Sequence, residues 1–307
     1  PLVVLNPRAA GGRCGRSFAG VRAVLERSLG PVDMRATAHA GHAISLAREG
    51  VRGGHRLVIA VGGDGTLNEV ANGVLEAGGD AAVAYIGQGT GGDFRRSVGM
   101  THRLDAYVGA IASGSERRVD AGRLTYRDAR GAPCTRWFVN ILSAGMGGLV
   151  DRYVADTTKV FGGAAAYLWA SARALANCQR ARLRCRVTLA GEERVQSIDT
   201  FLIAVCNGGF FGGVMQVAPM AKPDDGRFEV VSLDAPSKAA FAAFSRRIYD
   251  GKHLDAPGVQ HFGCDRIVID LEEERARGVF LLDVDGEPLG GLPVEVVLEP
   301  GALRLRG

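Results

Sequence analysis

Gly62-Gly63-Asp64-Gly65-Thr66-Leu67-Asn68-Glu69 follows the apolar run Leu57-Val58-Ile59-Ala60-Val61. Three glycines within four positions allow a tight turn with room for a large group against the backbone. The run before them reads as a buried strand. Leu67, Val70, Ala71, Val74 and Leu75 recur at helical spacing after them. A strand, a glycine turn and a helix N-terminus present free N–H groups and the positive end of a dipole, which together cradle a phosphate. Asp64 inside that cradle would repel a phosphate unless a metal ion or a proton network sits between them, which points to nucleotide chemistry. Mg²⁺ suits the place, because it keeps several waters and takes one or two carboxylates together with substrate phosphates.

Further segments carry the same chemistry. Asn6-Pro7 ends a short apolar run and leads to Gly11 and Gly12, a second candidate phosphate turn. Gly89-Thr90-Gly91-Gly92-Asp93-Phe94 is a glycine loop after another apolar run, with Arg95 and Arg96 behind it. Asp285-Gly286-Glu287-Pro288 closes an apolar strand with two carboxylates two positions apart, spacing that allows them to share one face. Transfer of a phosphoryl group to an alcohol needs a group that orients or accepts the hydroxyl proton. Asp285 and Glu287 are the candidates, and the sequence does not choose between them. Arg180, Arg182, Arg184 and Arg186 alternate with apolar residues and line one face of a strand, which reads as a solvated face or a contact for anionic headgroups.

These residues need a scaffold. Strand-like runs at 2–5, 32–36, 57–61 and 81–86 alternate with helical patterns at 18–29, 43–49, 68–76 and 105–111. That rhythm predicts an α/β domain over residues 1–120, with a parallel sheet covered by helices on both faces. Residues 121–291 read as a β-rich, sandwich-like domain, with strands at 121–126, 136–142, 181–189, 199–206, 228–233, 266–271 and 279–284. A further strand is expected at 294–298, and residues 292–307 are expected to pack back on the first domain. Only 158–175 and 237–249 look helical there. A cleft between the domains is the expected substrate site.

The chain has 307 residues, 44 of them glycine and clustered at turns without a repeat. Its net charge of +4, from 37 basic and 33 acidic residues, gives no indication of a nucleic acid partner. Six scattered cysteines without a CxxC pair read as reduced, buried thiols. Residues 160–176 are too short and too mixed to span a bilayer, so a cytoplasmic protein with membrane contact at the surface is expected. A homodimer is left open.

The ordered set of motifs resembles the diacylglycerol kinase catalytic-domain family, which includes bacterial soluble lipid kinases and sphingosine and ceramide kinases and is distantly related to NAD kinases and 6-phosphofructokinases. The set runs from Asn6-Pro7 and Gly11-Gly12 through Gly62 to Glu69, Gly89 to Phe94, Val119-Asp120 and Ala218-Pro219 to Asp224-Asp225-Gly226 and Asp283 to Pro288. The resemblance implies an ATP-dependent lipid kinase acting on a lipid at a membrane surface, most simply diacylglycerol, with a sphingoid or other lipid, or NAD, as rival acceptors. A regulatory protein that binds nucleotide without catalysis is a further rival. ATP and Mg²⁺ are the implied cofactors. Asn6, Gly11, Gly12, Thr37, Gly62, Gly63, Asp64, Gly65, Thr66, Leu67, Asn68, Gly89, Thr90, Asp93 and Asp120 are the implied nucleotide-site residues; Asp64, Asp285 and Glu287 are the implied catalytic ones. It also implies a structural Mg²⁺ held by Asp225 and the carbonyls of Lys222 and Arg227. Phe210, Phe211, Met215, Val160, Phe161, Tyr167 and Leu168 are candidate lining for acyl chains. Two departures stand out: Gly92 replaces the family's usual Asn, and residues 143–150 lack an acidic residue that many relatives carry.

Overall fold

The computed structural model describes residues 1–89, 91–128, 130–157 and 164–307; for residues 155–157, 164–168, 244 and 245 it describes the backbone alone. Thr90, Val160 and Phe161, and the side chains of Tyr167 and Leu168, therefore lie outside the described residues. The chain divides into two compact units, Pro1–Ala121 with Glu299–Gly307, and Gly122–Leu298.

In chain order the first unit contains β1 (Leu2–Leu5), α1 (Arg13–Arg16), α2 (Phe18–Leu29), β2 (Asp33–Ala36), α3 (His42–Arg52), β3 (Leu57–Gly62), α4 (Asp64–Glu76), β4 (Ala82–Gly87), α5 (Asp93–Ser97) and α6 (Leu104–Ser113). The start of β5 (Glu116–Arg127) belongs to it as well. Strands β2, β1, β3 and β4 lie side by side in that order, all parallel. Every residue of β1, β3 and β4 is buried, as expected of strands covered on both faces. The chain leaves β1 for β2 on one side and returns to β3 on the other. The crevice at the carboxyl ends of β1 and β3 is thus a topological switch point, where open α/β sheets bind ligands.

The second unit continues with β6 (Pro133–Phe138), β7 (Ile141–Gly145), α7 (Met146–Thr157), α8 (Ala164–Asn177), β8 (Ala181–Leu189), β9 (Glu192–Thr200), β10 (Leu202–Cys206), β11 (Phe228–Leu233), α9 (Lys238–Tyr249), β12 (Val259–Cys264), β13 (Arg266–Leu271), β14 (Leu281–Val284) and β15 (Glu287–Arg306). Its strands pair antiparallel as β12-β11-β10-β7-β14-β15, with β15, β13, β8 and β9 forming a second run. Inward side chains of both runs, among them Phe138, Leu183, Phe228, Ile267, Phe280 and Val296, share one core. The last residues of β15 belong to the first unit, where Arg304 and Leu305 pair parallel with Ala82 and Val83 of β4.

Among the departures from the sequence reading, two shape the second unit. The strand expected at 136–142 is broken into β6 and β7, because the N–H groups of Val139, Asn140 and Ile141 go to the carboxylate of Asp285. The segment Met146-Gly147-Gly148 opens a helix, although its glycines suggest a loop. A Cβ at Gly148 would overlap the Leu281 carbonyl, and one at Gly147 the Ser143 side chain, so the glycines let α7 lie directly on β14 and β7. The stripe of arginines on β8 alternates outward as its period demands. Arg180 is paired with Asp234 and Arg182 with Asp199. Among the described residues, no helix is long and apolar enough to cross a membrane. All six cysteines are free thiols.

Gly73 of α4 fixes the approach of α3, since a Cβ there would overlap the Ile44 carbonyl and come 2.8 Å from Cβ of Ala47. Gly73→Ala gains about 1 kcal/mol of helix propensity but overpacks this contact, and a net loss of about 2 kcal/mol is expected by urea unfolding. A variant as stable as the wild type would contradict the close packing.

Candidate active site

The carboxyl ends of β1 and β3 bring the first motif residues together. Asn6 donates from Nδ2 to Thr66 Oγ1 at 3.1 Å, and its own Oδ1 accepts the N–H of Arg8 at 3.0 Å. The bond spans the switch point and ties the turn carrying Gly11 and Gly12 to the start of α4. Those two glycines have φ of 64° and 83°, and nothing lies within 4 Å of a Cβ built at Gly11. The turn therefore leaves open space beside its backbone. Thr37, just past β2, donates its N–H to the Leu5 carbonyl at 2.8 Å and sits half-buried beside β1.

Helix α4 begins at Asp64, earlier than its apolar periodicity suggests, so Gly65, Thr66, Leu67 and Asn68 lie in its first turns. Its N-cap Gly63 supplies no side chain to the first N–H groups, while those of Thr66 and Leu67 donate to the Gly63 carbonyl at 3.0 and 3.2 Å. A Cβ at Gly62 would come 2.5 Å from Thr66 Oγ1, and one at Gly89 would come 2.7 Å from Gly63 Cα. The two glycine loops are thus in backbone contact, which any larger residue would break.

Asp64 does something its place in the motif does not announce. Its Oδ2 accepts the N–H of Gly92 at 2.7 Å and of Asp93 at 3.2 Å, and Oδ1 accepts that of Phe94 at 3.3 Å. The carboxylate caps the first turn of α5 and holds the second glycine loop against the first. Asp93 is buried and lies 3.4 Å from Arg96, which also donates to the Gly91 carbonyl. Gly92, at φ 69°, lies under the Arg95 guanidinium, since a Cβ there would be 3.1 Å from Arg95 Nε. Arg95 occupies the space into which the family's Asn would project.

Two further acidic residues serve as anchors. Glu69 accepts the N–H groups of Gly41 at 2.8 Å and Ala43 at 2.9 Å, capping α3 from α4. Asp120, buried in β5, accepts the N–H of Gly301 at 2.7 Å and holds the returning end of the chain. Neither role can be read from spacing, because each partner is far away in sequence.

In the second unit, Asp285 and Gly286 form the hairpin turn between β14 and β15, with φ of 50° and 85°. Left-handed backbone at both positions is what Asp-Gly favours in a two-residue turn. The Asp285 carboxylate accepts N–H groups from Val139 at 2.8 Å, Asn140 at 3.1 Å and Ile141 at 2.8 Å. Asn207 donates to the Val139 carbonyl and Asn140 to that of Phe210, both at 2.8 Å, which extends the network. Glu287 begins β15 and receives Arg136 Nη2 at 2.7 Å while its side chain keeps 26% exposure. The two carboxylates thus do not share a face: Asp285 turns into backbone and Glu287 meets an arginine.

Sequence reasoning missed Asp151 and the part played by Asp283. Residues 143–150 carry no acid, yet Asp151 of α7 follows at once and hydrogen-bonds Asp283 of β14. Asp283 also accepts Ser143 Oγ at 3.1 Å and the N–H of Gly286 at 2.9 Å. Burial, then the neighbouring Asp151, raises its carboxyl well above the usual range. The helical phase of Asp151 could have flagged it only if α7 had been legible.

The loop proposed for a structural metal precedes β11. Lys222 and Asp225 are exposed there, and Asp225 Oδ1 accepts the N–H of Arg227 at 3.3 Å. The Arg227 guanidinium lies 3.9 Å from Asp225 and pairs with Glu229. A cation at this carboxylate would face that guanidinium, and no step is derived through a metal there. Of the residues considered for acyl chains, Phe211 and Met215 bond to each other through their backbones and pack, partly buried, on the core around Leu149, Leu202 and Val217.

The raised carboxyl of Asp283 has a pH signature. Its folded state keeps a proton to higher pH than an unfolded carboxyl with an ordinary value of 3.8. The contribution of this group to stability is full below that value and is lost as pH rises toward its raised folded value. Asp283→Asn, which keeps a neutral side chain, is expected to flatten the fall in Tm as pH rises. A variant with the wild-type pH slope would show that Asp283 is ionised in the fold.

Comparison with known proteins agrees with this architecture. The diacylglycerol kinase catalytic domain matches residues 1–124, and the YegS C-terminal NAD kinase beta sandwich-like domain matches residues 140–307. The chain is 27% identical over 304 residues to a protein of Pseudomonas aeruginosa named as a YegS-like lipid kinase, covering 99% of this chain and 93% of that one. It is 26% identical over 297 residues to the diacylglycerol kinase of Bacillus subtilis, covering 96% and 92%. The crystal structure of a diacylglycerol kinase from Bacillus anthracis superposes with a TM-score of 0.72 at 22% identity, over 99% of this chain and 95% of that one. Yeast NADH kinase in complex with NADH shares the fold more distantly, with a TM-score of 0.51 at 12% identity. Since the matched residues 140–307 make up more than half of its length, the chain belongs to the family that carries the YegS C-terminal NAD kinase beta sandwich-like domain, and its N-terminal residues match the diacylglycerol kinase catalytic domain.

Proposed function

We propose that the protein transfers the γ-phosphoryl group of Mg-ATP to the hydroxyl of a membrane lipid, diacylglycerol being the simplest acceptor. The observation that carries this reading is the bracing of two glycine loops by Asp64 beside an uncapped helix N-terminus. Such a cradle offers backbone N–H groups to a polyphosphate. Asp64 is already balanced by three amides, so it shapes the cradle without repelling the nucleotide. The Mg²⁺ arrives with ATP as part of the substrate and offsets the charge of its phosphate oxygens.

On the acceptor side Glu287 orients the lipid hydroxyl and takes its proton. The hydroxyl oxygen forms a bond to Pγ, the bond from Pγ to the bridging oxygen of ADP breaks, and the proton passes to the Glu287 carboxylate. Phosphoryl transfer proceeds through a loose transition state, so the proton moves late and orientation counts for more than basicity. Pairing with Arg136 suits that role. Asp285 is committed to three backbone amides and acts as a positioning residue that sets where Glu287 begins.

Purified protein incubated with labelled ATP and a lipid panel, with NAD as a control acceptor, is expected to label diacylglycerol. Glu287→Gln is expected to lower kcat about 10²–10⁴-fold, with little change in nucleotide affinity. Label on NAD alone, or an unchanged kcat in the variant, would overturn the reading.

A further inference from the structure

Next to the second glycine loop, the first unit holds a pocket of about 330 Å³ that none of the chemistry above uses. Its lining includes Tyr85, Met100, Tyr107 and Ile111, with Arg117 and Arg306 in the same wall. The arginines are only partly occupied. Arg117 donates from Nη2 to the Val98 carbonyl and Arg306 from Nε to that of Ile111, both at 2.9 Å. Glu116 lies 3.9 Å from Arg306 Nη1 and is also bound by Arg304 Nε at 3.0 Å, so one carboxylate is shared by two guanidinium groups. The charged side chains that line the pocket are Arg117 and Arg306. The Tyr85 hydroxyl is buried and has no hydrogen-bond partner among the described residues. Burial, then the nearby Asp64, raises the phenol well above its ordinary range, so it remains a donor in want of an acceptor.

The pocket also touches the nucleotide loop. Arg95 donates from Nη1 to the carbonyl of Met100 at 3.3 Å, while its Nε, buried and unpartnered, lies against Gly92. Gly92 in turn gives its N–H to Asp64. A molecule that shifts Met100 therefore pulls on a guanidinium packed on the loop that Asp64 holds.

We propose that this pocket binds a small organic anion, a carboxylate or phosphate on a compact aromatic or branched apolar body, and that its occupancy alters nucleotide use through Arg95. Arginine forks favour such heads, and tyrosine, methionine and isoleucine side chains favour such a body. The volume lies at the low end of small-molecule sites. Binding is independent of the kinase reading; only the effect on ATP use rests on it.

Phenyl phosphate, benzoate and neutral benzyl alcohol serve as probes in calorimetric titration. At least one of the two anions is expected to bind the full chain with a dissociation constant of about 1 mM or below, and benzyl alcohol more weakly. Which anion binds better identifies the head group. Arg117→Gln with Arg306→Gln is expected to weaken binding about 10-fold or more. Ala106→Phe, which fills the pocket from α6, is expected to abolish it. Thermal unfolding near the wild-type Tm shows that each variant is folded. Absence of binding by both anions, or equal binding by the folded double-arginine variant, would overturn the site. Binding that leaves the KM for ATP unchanged in an active enzyme would overturn the coupling, whereas failure of the kinase reading would show as no phosphoryl transfer with binding intact.

Discussion

Carboxylates that accept several backbone N–H groups each are the interaction on which both candidate sites depend. Asp64 holds the amides of residues 92–94, Asp285 those of residues 139–141, and Glu69 those of Gly41 and Ala43. Hydrogen bonds to a charged group contribute about 1.5–3 kcal/mol each, more than neutral ones. They do so at loop ends, where the backbone has no ladder partner to satisfy it. Removing one such carboxylate leaves two or three donors without that acceptor.

This use of acidic residues changes how the motifs read. In isolation the Asp of a glycine loop suggests a metal ligand, and the Asp of a DGE turn suggests a base. In the fold both are turned inward to shape their surroundings. Under the proposed function, the groups left to face substrate are backbone amides in the first unit and Glu287 in the second. A rigid cradle loses little entropy when a polyphosphate binds, and a fixed turn places a carboxylate without cost at the moment of reaction. Gly92 fits the same logic, because Arg95 fills the volume an amide side chain would take.

Much of this architecture is legible in the residues themselves. The parallel sheet follows from apolar runs too continuous to be exposed on either face, and the turn at Asp285-Gly286 follows from its dipeptide. The glycine loops follow from their spacing. What could not be read is long-range. That Asp64 reaches residues 92–94, Glu69 reaches residue 41, and Asp151 meets Asp283 depends on tertiary approach, which local periodicity does not encode. Helix α7 was hidden because Gly147 and Gly148 argue against a helix locally, and only their contact with Leu281 and Ser143 explains them. The split between β6 and β7 has the same origin, a side chain about 145 residues away in sequence taking the N–H groups a single strand would have used.

The anchoring role of Asp64 is tested most directly by amide hydrogen exchange across the two glycine loops, comparing wild type with Asp64→Asn in the absence of nucleotide. The account predicts slow exchange at Gly92, Asp93 and Phe94 in the wild type and marked acceleration at those three amides in the variant, with β1 and β3 unchanged. Equal protection in both proteins would contradict it, since the loop would then be held by something other than that carboxylate.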